Sequence, residues 1–451
     1  MNKLSIVILA AGQGTRMKSD LPKVLHPLAG KPLVQYAVDT AAQLTPEKPL
    51  LVVGHGAAQV RQATGDQVVY VEQREQLGTG HAVLQARPLL EGRSETVLVW
   101  YADMPFLSTK TLRRLLELHA KHESPITMLT VEADDPMGFG RILRDEAGQV
   151  VGIVEEAVAT EAQKAIRELN CGVYCFDSHW LWPHLTQLPL SPKGEYYLTD
   201  LVAMAVKEGK VVQAFKICDA TEVLGINDRT HLAQAEAIMR QRINEKWMLE
   251  GVTLLDPSLI FIDATVEIGQ DTVIYPNTYL QGATTIGCHC RLGPNTIVRD
   301  STVGDGCIIE ASVVEGAVLE EEVDVGPFSH LRKGAHLAKG VHIGNFGEVK
   351  NSYLGPGTKM GHFSYVGDAT VGQGVNIGAG TVTCNYDGQR KHRTIIEDGA
   401  FIGSDTMLVA PVRVGDGAKI GAGSVVTHDI PPRSIAYGVP ARVKGEVKEE
   451  G

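Results

Sequence analysis

The segment 9–17 and a lysine shortly after it carry groups suited to binding phosphate. The segment reads LAAGQGTRM, and Lys23 follows in the pair PK. Gly12 and Gly14 would let backbone N–H groups approach an anion, and Arg16 and Lys23 add positive charge. A dinucleotide-binding loop needs a third glycine where this chain has methionine, and a Walker loop needs Gly-Lys-Ser/Thr. The pattern therefore predicts a phosphate site of another kind.

A second set of reactive groups lies beyond residue 330. Arg332 and Lys350 are 18 residues apart, and each directly follows an aliphatic residue. Two cations at equivalent positions repel each other unless an anion lies between them, which predicts an anion pocket; a solvated basic edge is the alternative. His362 could take a proton from an attacking amine near neutral pH. An ordinary surface histidine is the alternative there.

A six-residue repeat must position this second set. Aliphatic residues recur at that interval from Ile262 to Val298 and, after short slips, as far as Val426. No helix has this period, whereas a short strand followed by a tight turn does. Three such units would close one triangular coil, so Arg332 and Lys350 would occupy the same corner of adjacent coils. The segment 383–394, TCNYDGQRKHRT, breaks the repeat and is predicted to leave the coil as a loop.

The first half of the chain alternates strand-like and helix-like segments. LSIVILAAG, PLLVVGH, VVYVEQ, TVLVWYAD and SPITMLTVE predict strands, several of them buried on both faces. We therefore expect an α/β Rossmann-like sheet with helices on both faces. Apolar residues at helical spacing predict a helix over 228–250. The expected organisation is a first domain at 1–227, a connecting helix at 228–250 and a second domain at 251–451.

Composition excludes several classes of protein. The chain has 451 residues and a net charge of −11, which disfavours a general binder of nucleic acid or of membrane surfaces. The apolar run at the N-terminus is shorter than a membrane span and reads as a buried strand of a cytoplasmic protein. Seven cysteines without a CxxC pair indicate reduced thiols rather than a disulfide framework or a zinc site.

Both halves resemble known families. LAAGQGTRM with the following PK resembles the signature of sugar-1-phosphate nucleotidyltransferases, and further residues stand in that family's order: Gln73, LGTG at 77–80, YAD at 101–103, GFGR at 138–141, Glu155, Asn170, GEYYLTD at 194–200 and Asn227. The repeat resembles the left-handed parallel β-helix of hexapeptide acyltransferases. Over nearly its whole length the chain resembles the bifunctional enzymes that join N-acetylglucosamine-1-phosphate uridyltransferase to glucosamine-1-phosphate N-acetyltransferase.

This resemblance implies acetyl transfer from acetyl-CoA to glucosamine 1-phosphate, and then uridylyl transfer from UTP to N-acetylglucosamine 1-phosphate with release of pyrophosphate. For uridylyl transfer it implies Mg²⁺ on Asp103 and Asn227, with Arg16 and Lys23 as catalytic cations. A turn carboxylate at Asp103 and a helix cap at Asn227 are the alternatives. Gly140, Glu155 and Asn170 would hold the amino sugar. The full set expected to bind UTP and the sugar nucleotide is Leu9, Ala10, Ala11, Gly12, Lys23, Gln73, Gly78, Thr79, Tyr101, Asp103, Gly140, Glu155, Asn170 and Asn227.

For acetyl transfer the resemblance implies His362 as the general base. Glucosamine 1-phosphate would contact Arg332, Lys350, Tyr365, Asn376, Lys391 and Glu348, and acetyl-CoA would contact Ala379, Asn385, Tyr386, Ser404 and Ala422. The segment YGVPAR, 437–442, has glycine where some relatives place a basic CoA contact, and the role of Arg442 stays open. A homotrimer with acetyl sites completed between subunits is also implied.

Two other functional classes remain. The β-helix could serve as an oligomerisation or regulatory module beside an active nucleotidyltransferase, or the whole chain could be a structural scaffold. His362 together with the basic residues argues against the first, and Asp103, Lys23 and the Gly-rich loop argue against the second. The leading hypothesis is a bifunctional enzyme that supplies UDP-N-acetylglucosamine for cell-wall and lipopolysaccharide precursors and that has small-molecule partners only.

Overall fold

The computed structural model describes residues 3–136 and 138–447. The chain groups into two compact units, Met1–Glu236 and Ala237–Gly451, called here the first and second unit. The division falls inside the helix Arg229–Leu249, which occupies the place of the predicted helix at 228–250. Over 3–136 and 138–447 no helix combines the length and the apolar character needed to cross a membrane.

The first unit alternates strands and helices, as its sequence pattern predicts. Its strands are β1 Leu4–Ala10, β2 Pro27–Leu28, β3 Lys31–Pro32, β4 Leu50–Val53, β5 Val69–Glu72, β6 Thr96–Tyr101, β7 Ile126–Glu132, β8 Arg141–Arg144, β9 Val150–Val154, β10 Glu168–Asp177 and β11 Gln213–Ile217. The α-helices that start in this unit are α1 Leu33–Ala42, α2 Ala57–Thr64, α3 Thr79–Leu84, α4 Arg87–Leu90, α5 Thr109–Lys121, α6 Glu161–Lys164, α7 Ser178–Leu185, α8 Asp200–Lys207 and α9 Arg229–Leu249.

A mostly parallel sheet organises this unit, in the order β11-β7-β10-β6-β1-β4-β5. β10 runs antiparallel to both of its neighbours, and the β8–β9 hairpin attaches to it. The reason for the continuous apolar run in β1 is visible in its packing. Ile6 and Ile8 enter the core on one face of the sheet, while Val7 and Leu9 enter the core on the other. Burial on both faces is what a central parallel strand requires.

The second unit is a parallel β-helix. Its described strands form a first sheet of Thr253–Leu254, Val273–Ile274, Arg291–Leu292, Ile308–Ile309, Asp324–Val325, His342–Ile343, Lys359–Met360, Asn376–Ile377, Phe401–Ile402, Lys419–Ile420, Ser434–Gly438 and Ala441–Glu446; a second sheet of Ile260–Ile262, Thr278–Gln281, Ile297–Arg299, Val313–Glu315, His330–Leu331, Gly347–Lys350, Ser364–Gly367, Val382–Cys384, Met407–Val409 and Val425–Val426; and a third sheet of Glu267–Ile268, Thr285–Ile286, Thr302–Val303, Val318–Leu319, His336–Leu337, Tyr353–Leu354, Ala369–Val371, Thr394–Ile396 and Val412–Val414.

The aliphatic positions of the repeat form the core of this unit, as predicted. From Ile262 to Val426 they are buried in one continuous cluster. Each faces the equivalent residue one coil later, so Leu331 pairs with Val349 in the second sheet. Some coils are shorter than 18 residues, as the pairing of Val298 with Val314 shows. These short coils account for the slips in the repeat.

The predicted loop at 383–394 is shorter than expected. Thr383 and Thr394 are buried in strands, and 385–393 lies outside the coil between them. The hydroxyl of Thr383 accepts a hydrogen bond from the Gly367 amide at 2.7 Å and donates to the Gly367 carbonyl at 3.0 Å. These bonds hold Thr383 in the coil even though the apolar repeat is interrupted. Thr394 pairs with Ala369 in the third sheet, so the predicted start and the predicted end of the loop were both wrong.

Candidate active sites

Four charged or amide side chains predicted to serve uridylyl transfer meet in the first unit. The Lys23 ammonium forms a short ion pair with Asp103 Oδ2 and donates a hydrogen bond to Asn227 Oδ1 at 3.3 Å. Arg16 Nη2 donates to the same Asn227 oxygen at 2.9 Å. The four side chains will be called the cation cluster.

The backbone holds the cation cluster together. Asp103 follows β6, and the amide of Ile226 donates to its carbonyl oxygen at 3.0 Å, which brings Asn227 to the end of the strand. Gly14 has φ of 63°, and a Cβ added there would lie 2.6 Å from Cβ of Lys23. A larger residue at 14 would therefore move the lysine, so the second glycine of the motif has a steric role.

The donor set of the cation cluster fits a hard divalent cation. The Asp103 carboxylate and the Asn227 amide oxygen face one point, where the Lys23 ammonium lies. Oxygen ligands of this type suit Mg²⁺. Among the residues that the structure describes, no group of three or more His, Cys, Asp or Glu side chains could hold a metal. A metal bound here would take its other ligands from phosphate and water.

The residues predicted to bind the nucleotide lie at the carboxyl ends of parallel strands on one side of the sheet. The segment 9–12 ends β1, and Gln73 follows β5. Gln73 Nε2 donates to the Gly78 carbonyl at 3.0 Å, and Thr79 Oγ1 accepts from the Leu198 amide at 3.1 Å. Nothing lies within 4 Å of a Cβ added at Gly12, so the backbone there borders open space. This is the edge of an α/β sheet at which ligands bind.

The predicted amino-sugar residues also meet. The backbone N–H of Asn170 donates to the Gly140 carbonyl at 2.8 Å, and a Cβ added to Gly140 would lie 3.6 Å from Glu155 Oε2. Glu155 Oε1 accepts a hydrogen bond from Thr199 Oγ1 at 2.9 Å. We call Gly140, Glu155 and Asn170 the sugar pocket.

Sequence reasoning missed two residues that support this pocket. Tyr174 donates its hydroxyl hydrogen bond to Asn170 Oδ1 at 2.9 Å. Gly172 has φ of 73°, and a Cβ added there would lie 2.4 Å from Cε2 of Tyr101. Burial raises the pKa of Tyr101, and the charges of Glu155 and Asp103 add to that shift. A glycine inside the apolar strand LNCGVYCFD was the available signal for this close approach.

A cavity of about 340 Å³ opens beside the cation cluster. Arg16 and Asn227 line it together with Phe139 and His231. With Asp135 and Gln234 also in its lining, the cavity combines charged, amide and aromatic groups next to the reacting centre that the sequence predicts.

In the second unit, register brings the predicted anion-binding residues to adjacent coils. Leu331 pairs with Val349, so Arg332 and Lys350 stand at equivalent positions of the second sheet. Arg332 Nη1 donates to Glu348 Oε1 at 2.8 Å, and this bond raises the pKa of the guanidinium. Tyr365 is the register partner of Glu348 in the next coil. The Glu348 carboxylate thus offsets part of the repulsion between Arg332 and Lys350.

His362 begins a column at another corner of the coil. The Gly380 amide donates to the Phe363 carbonyl at 2.7 Å, the Asp405 amide to the Ala379 carbonyl at 2.6 Å, and the Gly423 amide to the Ser404 carbonyl at 2.8 Å. These bonds stack His362 and three of the predicted acetyl-CoA residues at successive levels: Ala379, Ser404 and Ala422. The side chain of His362 is exposed.

The structure separates His362 from the basic pair. His362 precedes the strand Ser364–Gly367, and Lys350 pairs with Gly367 at the far end of that strand. Four strand residues span roughly 13 Å. Asn376 is exposed on the first sheet. Within the described part of a single chain, these residues spread over two sheet faces and a corner.

The loop and the C-terminal hairpin carry the remaining predicted residues. Tyr386 and Lys391 are exposed and bridge across the loop 385–393, where Tyr386 donates to the Gly388 carbonyl at 2.7 Å. Asn385 at its base hydrogen bonds to Asp368. Arg442 is exposed in the hairpin of Ser434–Gly438 and Ala441–Glu446.

Comparison with known families agrees with both units. A MobA-like NTP transferase domain model matches residues 6–171. The bacterial transferase hexapeptide model, with six repeats, matches 393–428, and the hexapeptide repeat of succinyl-transferase matches 283–325. The predicted fold, an α/β nucleotidyltransferase followed by a hexapeptide-repeat parallel β-helix, is confirmed.

Curated relatives match the chain from end to end. A protein from Heliobacterium modesticaldum named bifunctional protein GlmU is 51% identical over 450 residues, which are 100% of this chain and 98% of the relative. Proteins of the same name from Geobacillus sp. strain WCH70 and Brevibacillus brevis are 48% and 47% identical, over 99% and 97% of this chain and 97% and 95% of their own lengths. The predicted enzyme class, a nucleotidyltransferase joined to an acyltransferase, is confirmed. The chain therefore belongs to the family of bifunctional GlmU proteins.

Proposed function

We propose that the two units catalyse successive steps toward UDP-N-acetylglucosamine, with a nucleotidyltransferase domain at 1–227, a connecting helix at 228–250 and an acetyltransferase domain at 251–451. The second unit acetylates glucosamine 1-phosphate with acetyl-CoA. The first unit transfers a uridylyl group from UTP to the N-acetylglucosamine 1-phosphate so formed and releases pyrophosphate. The observation that carries this proposal is the convergence of Arg16, Lys23, Asp103 and Asn227 beside open strand ends.

In uridylyl transfer, a phosphate oxygen of the sugar phosphate attacks the α-phosphorus of UTP. The new P–O bond forms as the bond to the β-phosphate breaks, and pyrophosphate leaves with its electron pair. Two anions must approach and negative charge develops on the leaving group, so fixed cations accelerate the step. Lys23 and Arg16 supply those cations, and the sugar pocket orients the attacking substrate.

Asp103 and Asn227 would hold Mg²⁺ in this site. When bound, the metal would neutralise negative charge on the phosphates and act as a Lewis acid toward the phosphoryl group. Lys23, whose ammonium contacts the side-chain oxygen atoms of both residues, would add positive charge for the phosphates beside the metal.

In acetyl transfer, the amine nitrogen of glucosamine 1-phosphate attacks the thioester carbonyl of acetyl-CoA. A C–N bond forms, the C–S bond breaks, and CoA leaves as its thiolate. His362 takes the proton that the amine loses and passes it to the departing thiolate. Arg332 and Lys350 hold the sugar phosphate with Glu348 and Tyr365 beside them, helped by Asn376 and Lys391. The corner column of Ala379, Ser404 and Ala422, with Asn385 and Tyr386, contacts acetyl-CoA.

We further propose a homotrimer whose acetyl sites are completed between subunits. The spread of the acetyl-transfer residues over two sheet faces, a corner and a loop supports a second copy as the missing wall. A cytoplasmic location fits the substrates, because UTP and acetyl-CoA are made and used there, and it fits the seven free thiols of the chain.

An omission experiment tests this function. Purified protein is incubated with glucosamine 1-phosphate, acetyl-CoA, UTP and Mg²⁺, and UDP-N-acetylglucosamine is measured by chromatography. Omission of any one component should abolish the product. Supplying N-acetylglucosamine 1-phosphate should restore it without acetyl-CoA. Product formation from the unacetylated sugar with no acetyl-CoA present would reject the order of the two steps. Uridylyl transfer without any release of CoA thiol would reject acetyl transfer by the second unit and favour the alternative that this unit is an oligomerisation module.

A further inference from the structure

We propose that Arg141 is a positioning residue that aligns the sugar pocket of the first unit; this inference rests on the proposed uridylyl transfer. The Arg141 side chain is 2% exposed, which is rare for a guanidinium. It stands at the start of β8, directly after Gly140. Because the guanidinium is almost completely buried, its charge cannot serve to keep the protein surface hydrated, and another role must explain it.

Register shows what Arg141 can align. In β8 it pairs with Val154 of β9 on one side and with Leu169 of β10 on the other. The next residues along these antiparallel pairs are Gly140, Glu155 and Asn170. Backbone pairing on both sides of position 141 therefore places the three members of the sugar pocket side by side, and the Arg141 side chain starts from the centre of that arrangement.

The guanidinium also ties down the two loops that leave this register. Its Nη1 donates a short hydrogen bond to the Phe139 carbonyl and lies 2.5 Å from Glu156 Oε2. Phe139 directly precedes Gly140, and Glu156 directly follows Glu155. One rigid cationic group thus connects both ends of the pocket. Lysine could not reproduce this contact, because an ammonium is a point charge on a flexible stem.

This arrangement is a poor source of stability. Arg141 Nε is buried and has no hydrogen-bond partner among the described residues. Burying an incompletely paired charge is costly, and replacing a whole buried ion pair by apolar groups is often neutral or stabilising. Arg144 in the same strand provides a contrast, since it is partly exposed and pairs with Glu168 through two hydrogen bonds. Arg141 is therefore better explained by the precision it gives the pocket.

The test compares Arg141→Met, Arg141→Lys and Glu156→Gln with the matched control Arg144→Gln. KM for N-acetylglucosamine 1-phosphate and for UTP are measured separately by pyrophosphate release, and acetyl transfer reports on the rest of the chain. Arg141→Met should raise KM for the sugar phosphate about tenfold while KM for UTP changes less than about twofold. Arg141→Lys and Glu156→Gln should give smaller rises, and Arg144→Gln none.

Equal changes in both KM values, or a lower melting temperature with both KM values unchanged, would show a merely structural role and overturn the proposal. If Arg141→Met does not fold, Glu156→Gln decides the matter, because it keeps the arginine and removes its anionic partner; an unchanged KM for the sugar phosphate then rejects the proposal. Wild-type protein that releases no pyrophosphate with this sugar phosphate would instead reject the proposed function.

Discussion

The two units place their functional residues by different means. In the first unit, Lys23 meets Asn227 across 204 positions and Arg16 meets it across 211. In the second unit, Arg332 meets Glu348 of the next coil across only 16 positions. Neighbours in a solenoid follow from its period. Neighbours in an α/β unit follow from strand order, which no local pattern contains.

The two units also differ in how a strand divides its side chains. β1 sends alternate residues into two cores, so each position from Ile6 to Ala10 is committed to packing. A β-helix strand sends alternate residues into one core and leaves the others outside: Val349 is buried, while Glu348 and Lys350 are partly exposed. Substitutions of outward residues in the second unit should therefore change function with little effect on folding.

The largest expected effect separates the activities of the two units. Asp103→Ala should lower uridylyl transfer about a thousandfold, because it removes the carboxylate of the cation cluster. Acetyl transfer should be unchanged. Pyrophosphate release and CoA thiol release measure the two rates, with Asp145→Ala, at an exposed turn, as the control. Loss of both activities would reject the division of labour between the units.

The reciprocal change is His362→Gln. Removal of the proton acceptor should lower acetyl transfer by roughly a few hundredfold and leave uridylyl transfer intact. The exposed His428 provides a matched histidine that the proposal does not use, so His428→Gln should behave as wild type. Thiol release at its wild-type rate in His362→Gln would contradict a general base at this position.

A core substitution tests whether each unit carries its own stability. Leu331→Ala should destabilise the second unit by about 3 kcal/mol, because the inward position is completely buried and a cavity would remain. Val318→Ala, at a position 41% exposed, should cost much less. Calorimetry should show one shifted transition while the uridylyl transfer rate at moderate temperature persists. A shift of every transition in Leu331→Ala would mean that the two units unfold together.

A smaller effect is expected on substrate affinity in the second unit. Arg332→Gln should raise KM for glucosamine 1-phosphate about tenfold, since one charge-assisted contact to phosphate is lost. Arg299→Gln is a close control, because Arg299 pairs with Glu315 across 16 positions in the same sheet. Equal KM values for the two variants would favour a solvated basic edge.

The smallest effect concerns pH. Burial lowers the pKa of His119 from its ordinary value of 6.5, so its imidazole stays neutral to a lower pH in the folded first unit than in the unfolded chain. The unfolded chain then binds more protons below pH 6.5, and the stability contribution of the neutral side chain is lost as pH falls toward the folded-state pKa. Denaturant unfolding of His119→Gln should show a weaker decline below pH 6.5 than wild type. An identical decline would assign the acid sensitivity to other groups.

Sequence patterns predicted the strands and the repeat well, and they predicted parts of the sites. The inward residues from Ile262 to Val426 are buried as expected. A period of six residues places them all on the inner side of the coils, where they pack against one another. The start of the loop at Thr383 was misplaced, since hydroxyl bonds rather than apolar contacts hold that residue. Arg141 stood in the quoted motif, yet its role was invisible because a buried ion pair has no local signature.

The sequence by itself determined the two fold classes, the inward and outward faces of the β-helix and the equivalence of Arg332 and Lys350, because these follow from local periodicity. Tertiary structure alone decided that one amide oxygen of Asn227 serves both Arg16 and Lys23, and that Gly140 lies between Glu155 and Asn170. The physical reason is that strand order and register in a mixed sheet come from the packing of the whole core, whereas a repeat carries its neighbours at a constant spacing along the chain.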